Sequence, residues 1–183
     1  MSDVHNLNKA QAAAARHWWQ KLNGFGRPGL ADTGGRARLR RSTPASVLGE
    51  EATIDLMRRL RKARAEAGLA IDDGRDCVLA IRLALSLCHV RKDTEVRFGR
   101  VIGRTDFSSP VSARFKPLRF RRLLEAETEE EIASGLRRAL EMIGGEVNVA
   151  DLALHLITWA SDGQKRRLIL DYYDTRDPSA AGS

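Results

Sequence analysis

The sequence predicts an all-α protein of two small helical bundles joined by an irregular basic linker. Three observations carry that reading. Aromatic residues make up only 5% of a chain that is 43% hydrophobic, so leucine and alanine carry the apolar load and favour helices packed on helices. Apolar residues recur at helical spacing in one segment after another. Helix-start and helix-stop residues bracket those segments, and no convincing strand pattern interrupts them.

The elements follow in chain order. Residues 4–22 read as an amphipathic helix, with Leu7, Ala14, Trp18 and Leu22 on one stripe and Trp19 beside it. Residues 23–35, rich in glycine and holding Pro28, read as a loop, and the basic run Arg36 to Arg41 follows it. Pro44 and Ser46 prepare a helix over about 46–67, stopped by Gly68. Asp72 or Asp73 can cap a third helix running to about residue 90, apolar on several sides through Val78, Leu79, Ile81, Leu83, Leu85 and Leu87. The N-terminal bundle therefore spans residues 1–92, and residues 93–116 form the connecting segment.

The C-terminal bundle, 117–183, is better punctuated. Pro117 suits the first turn of a helix over 117–126. Thr128 with Glu131 has capping-box spacing and opens a helix whose Ile132, Leu136, Leu140 and Ile143 share a face, ended by Gly144-Gly145. Asn148 with Asp151 opens the next, and Ser161 with Gln164 opens the last, which runs to about Tyr173. The tail after Asp177 reads as disordered.

Charge is polarised along the chain. Formal net charge is +7, with 31 Lys+Arg against 24 Asp+Glu, which suits a polyanionic partner. Residues 36–64 carry Arg36, Arg38, Arg40, Arg41, Arg58, Arg59, Arg61, Lys62 and Arg64 against Glu50, Glu51 and Asp55. Residues 97–122 carry Arg97, Arg100, Arg104, Arg114, Lys116, Arg119, Arg121 and Arg122 against Asp106 alone. Over 123–162 the balance reverses, and only Arg137 and Arg138 are basic. Nearly all these cations are arginine, whose planar fork matches phosphate. Arg58 to Arg64 suit a solvated helix face. Arg36–Arg41 and Arg114–Arg122 stand at loop-to-helix junctions, where exposed guanidinium groups can act on phosphate together with free helix N–H groups.

Several other features point away from catalysis. Gly24 to Gly29 matches GxGxxG, yet a helix precedes it where a dinucleotide fingerprint needs a strand. His5, His17, His89 and His155 are scattered, and Cys88-His89 alone is not a zinc spacing. Cys77 and Cys88 lie in one helix, about 16 Å apart along its axis, too far for a disulfide, so both read as core thiols. Asp72, Asp73 and Asp76, like Glu129–Glu131, sit at helix N-termini, where capping accounts for them. Trp18, Trp19 and Trp159 read as core rather than base-stacking residues. No cofactor, metal or nucleophile is expected. Met1 to Ala15 lacks a signal-peptide core and no run is long enough to span a membrane, so a cytoplasmic protein without membrane contact is expected.

Three stretches taken in order resemble a known family: Trp18 to Leu22 with the glycine-rich loop, Arg36–Arg41 and Thr43-Pro44; Arg119 to Leu124 leading to Leu136–Leu140; and Val147-Asn148 through Leu156, Thr158-Trp159 and Leu168 to Tyr173. Together, over about residues 12–174, they are similar to the CasB family, the small subunit of the type I-E CRISPR surveillance complex, Cascade. The resemblance implies a helical protein of two small bundles with no catalytic role, present in two copies beside the guide-RNA backbone subunits. Its basic surface would hold guide RNA and target DNA by their backbones. Arg41 matches a basic position of the family, with Arg40 beside it; Arg119 matches another, Arg137-Arg138 match an arginine pair, and Arg75 aligns ahead of the buried helix. The chain departs from the pattern at Leu118, where an arginine is common, and at Asp162-Gly163, where basic residues are common and Lys165, Arg166 and Arg167 follow a few positions later.

The candidate nucleic-acid contacts are therefore Arg36, Arg40, Arg41, Arg75, Arg104, Arg114, Lys116, Arg119, Arg122, Arg137, Arg138, Lys165 and Arg166. The competing readings are a helical scaffold whose arginines meet acidic protein surfaces and a sequence-nonspecific nucleic-acid-binding regulator. The backbone-holding reading requires that two separate basic stretches converge once folded.

Overall fold

The computed structural model describes residues 2–25, 31–103 and 113–174. Among them lie nine α-helices and two very short parallel strands, so the fold is all-α as the sequence predicts. Among the described residues no helix is long and apolar enough to cross a membrane. The GxGxxG stretch beyond Phe25, Arg104 and the tail after Asp174 lie outside the described residues.

Helix α1 (Ser2–Leu22) buries Leu7, Ala15, Trp18, Trp19 and Leu22. Each indole N–H finds a carbonyl, Trp18 on Ala52 at 2.8 Å and Trp19 on Val90 at 3.3 Å. Trp159 does the same on Ala126 at 3.0 Å. All three tryptophans are core residues, with the polar edge of each ring satisfied.

Helix α2 (Thr33–Arg41) begins inside the stretch expected to be loop. Gly34 and Gly35 weaken its first turn, but the Asp32 carboxylate accepts from Gly35 N at 2.7 Å and Leu39 is buried beneath it. Cap and burial outweigh the poor propensity of the glycines. A 3₁₀ turn (Val47–Gly49) then delays α3 (Glu51–Glu66) beyond its expected start.

Helix α4 (Asp73–Leu87) starts with Asp72 accepting from Arg75 N at 3.0 Å and ends just before Cys88. Val78 is exposed on it, unlike its apolar neighbours. Two charged residues, Arg64 read as part of a solvated helix face and Asp76 read as a helix-capping acid, belong to the core instead. The Arg64 guanidinium donates to Asp76 at 2.9 Å, with side-chain exposures of 7% and 0%, and Gln11 donates to the same carboxylate at 3.5 Å. Asp76 thus locks α3 to α4 and is not a helix cap.

The segment expected to be irregular holds order of its own. Strand β1 (Lys92–Asp93) pairs in parallel with β2 (Glu146–Val147), in the register Lys92 with Glu146 and Asp93 with Val147. Helix α5 (Phe98–Ile102) buries Phe98 and Ile102. It is too short for periodicity to reveal. Its Gly99 faces α9 (Asp162–Tyr173) so closely that an added Cβ would lie 2.6 Å from Asp171 Cβ.

The remaining helices are α6 (Pro117–Leu124), α7 (Glu129–Met142) and α8 (Val149–Ile157). The capping box of α7 forms as expected, Thr128 with Glu131, and Asn148 caps α8 by accepting from Asp151 N at 2.9 Å. The expected box of α9 does not form, because Ser161 makes no side-chain cap bond. Helix α1 packs on both α3 and α8, and α4 touches α3, α7 and α8. One apolar cluster therefore runs from Trp18 and Leu60 through Leu83 and Leu136 to Leu156 and Tyr172.

Candidate nucleic-acid interface

The site is built on α7. Its buried side carries Ile132, Leu136, Ala139 and Leu140. The periodicity that turns these inward sends Glu130, Ser134, Arg137 and Arg138 outward, about two helical turns of surface. A cleft flanks this ridge on each side. The first, about 510 Å³, lies against α2 and is lined by Arg40, Arg41, Thr43, His89, Glu130, Ser134 and Arg137 among others. The second, about 740 Å³, lies against α6 and is lined by Arg119, Arg122, Glu130, Ser134, Gly135 and Arg138 among others. Glu130 and Ser134 border both. Two basic runs far apart in sequence are thereby brought to either side of one helix, which adds an arginine to each.

Within this group the guanidinium groups differ in freedom. Arg41, Arg122 and Arg138 are exposed and make no hydrogen bond or ion pair among the described residues. Arg119 only touches Met142 Sδ at 3.3 Å, and Arg137 only approaches Glu141 at 3.7 Å across an exposed helix face. Such an exposed pair contributes little and yields readily to a phosphate.

Arg36 and Arg40 hold the end of α4. Cys88 O accepts from Arg36 Nε at 3.0 Å and from Arg40 Nε at 3.0 Å. Arg36 also donates to Val90 O at 2.5 Å and to the side-chain oxygen of Asn23. Two cations at a helix C-terminus complement its macrodipole and satisfy its last carbonyls. Arg36 is thus taken up by the fold, whereas Arg40 stays exposed and lines the first cleft.

The electrostatics follow from this clustering. Burial, then Arg40, Arg137 and Arg36, hold the His89 imidazole down at about 4, so it is neutral near pH 7. Burial pushes the Cys88 thiol up to about 12, which keeps it protonated and unreactive.

Other expected contacts lie elsewhere. Arg75 borders a separate cleft of about 590 Å³ with Val4, Asn8 and Arg82. Arg114 and Lys116 are exposed ahead of α6. Lys165 donates to Leu124 O at 2.8 Å, tying α9 to the end of α6, and Arg166 donates to Asp162 O at 3.4 Å. Arg97 and Arg100, also in the second basic run, turn to Asp171 and Asp174. Sequence reasoning missed Thr43, His89, Glu130 and Ser134 as lining residues. Helical spacing from Arg138 could have found Ser134 and Glu130; nothing local marks His89.

The family model described as CRISPR-associated protein Cse2 matches residues 35–173, a stretch that contains both clefts. No curated protein and no solved structure matches the chain closely enough to be set beside it.

Proposed function

From the premise that this chain belongs to the Cse2 (CasB) family and is therefore a Cascade subunit of CRISPR defence, we propose that its α7 ridge holds nucleic-acid backbone and so stabilises the R-loop. The observation that carries this reading is the meeting of Arg40 and Arg41, Arg119 and Arg122, and Arg137 and Arg138 around one helix. Forked, weakly hydrated cations on an open surface bind phosphates without reading bases. Strand exchange between a DNA duplex and an RNA–DNA heteroduplex is nearly balanced in free energy, so such contacts can tip it toward the open state.

In this reading the subunit is non-catalytic. Its partners are guide RNA, target DNA, the other Cascade subunits and a second copy of itself. Binding is tolerant of sequence and falls steeply with salt.

The test is charge reversal at Arg41, Arg119 and Arg138 together, measured in the assembled complex. Target-DNA affinity is expected to fall, with a helical spectrum unchanged. The salt slope should shrink by about one for each phosphate that is no longer neutralised. Full affinity with an unchanged slope would remove this assignment.

A further inference from the structure

We infer that Glu130 is a counter-charge that limits how tightly the arginine ridge holds backbone, and so leaves strand holding dependent on base pairing. This rests on the backbone-binding reading above. Glu130 borders both clefts and, among the described residues, is the one acid lining the first, whereas Glu125 and Glu131 line the second beside it. Its two neighbours have structural work: Glu129 accepts from Arg82 Nε at 3.0 Å and Nη2 at 2.5 Å, and Glu131 accepts from Glu127 N and Thr128 N at 3.1 Å each. Glu130 is exposed and makes no hydrogen bond or ion pair among the described residues, although arginines line both clefts beside it.

A carboxylate in this place repels each phosphate that crosses the ridge. It shares the stripe of Ser134, Arg137 and Arg138, so a strand passing from one cleft to the other cannot avoid its field. The consequence for target choice follows from the balance of strand exchange. Protein–backbone contacts favour matched and mismatched open states alike, whereas mismatches alone carry a penalty. A ridge without its acid would hold imperfect R-loops that the parent releases.

The test uses the full-length chain with a fluorescent oligothymidylate, comparing Glu130→Gln, the charge-retaining Glu130→Asp and Arg138→Glu over a salt series. E130Q is expected to bind about three- to tenfold tighter at low salt, with the gain fading as screening grows, and E130D should behave as the parent. In the assembled complex, E130Q should raise occupancy of a mismatched target more than that of an already saturated matched one. If Glu130 serves only the α7 dipole, E130Q will lower the melting temperature and leave affinity at parent level while R138E weakens it; that result overturns the inference and spares the backbone reading. Parent-level binding by both E130Q and R138E overturns both.

Discussion

Gly135 lies so close to α6 that a Cβ on it would stand 2.8 Å from Leu123 Cδ1. This approach lets α6 bring Arg119 and Arg122 to the same cleft as Arg138. The arginine cluster therefore depends on a residue that carries no charge.

Gly135→Ala sets two effects against each other. Alanine favours the helix by about 1 kcal/mol, while overpacking against the buried Leu123 costs about 1–3 kcal/mol. The clash is with the tip of the Leu123 side chain alone, the next contact lying at 3.8 Å. A net change of less than about 1 kcal/mol in urea denaturation is therefore expected, together with weaker single-strand binding as α6 gives way. Parent-level affinity would show that the spacing of the two helices does not matter to binding.

Arg64→Leu should be among the most destabilising single changes. It leaves the fully buried Asp76 carboxylate without its cation, a loss of about 3–5 kcal/mol. The double variant Arg64→Leu/Asp76→Leu should recover most of that stability in the same denaturation experiment.

Arg36 and Arg41, five residues apart, should part company under mutation. Arg36→Ala removes the clamp on Cys88 O, Val90 O and Asn23 and should destabilise by about 2 kcal/mol. Arg41→Ala should leave melting unchanged and weaken DNA binding alone.

Stability should fall as pH drops from about 6.5 to about 4. Unfolded His89 takes up a proton near its ordinary 6.5, whereas the folded imidazole refuses it until about 4, so its contribution is complete above the first value and lost on the way to the second. His155, also held down chiefly by burial, acts in the same direction. Thermal melts from pH 7 to pH 4 measure the loss. A titration followed by NMR should place His89 near 4 in the parent and higher in Arg40→Gln, because one of the cations holding it down is then gone.

Much of the fold was legible because its signals are local. Thr128 with Glu131 and Asn148 with Asp151 mark helix starts that the structure reproduces, and Gly144 and Gly145, both at positive φ, end α7 where expected. The misses share a cause as well. Helix α2 starts among glycines because Asp32 caps it and Leu39 anchors it to the core, and α5 is a helix because Phe98 and Ile102 have a core to enter. Neither effect exists until other elements are in place.

The chain's order of residues by itself determined the helical class, most helix boundaries and the two basic runs, since periodicity, capping and charge act within a few residues. Tertiary structure alone decided which arginines remain available. Arg36 and Arg41 belong to one run, as do Arg100 and Arg122 to the other, yet Arg36 and Arg100 are claimed by a carbonyl at Cys88 and a carboxylate at Asp174 while Arg41 and Arg122 face open clefts. A guanidinium is committed when the fold both buries it in part and brings an acceptor within about 3 Å, and those acceptors lie 52 and 74 residues away along the chain.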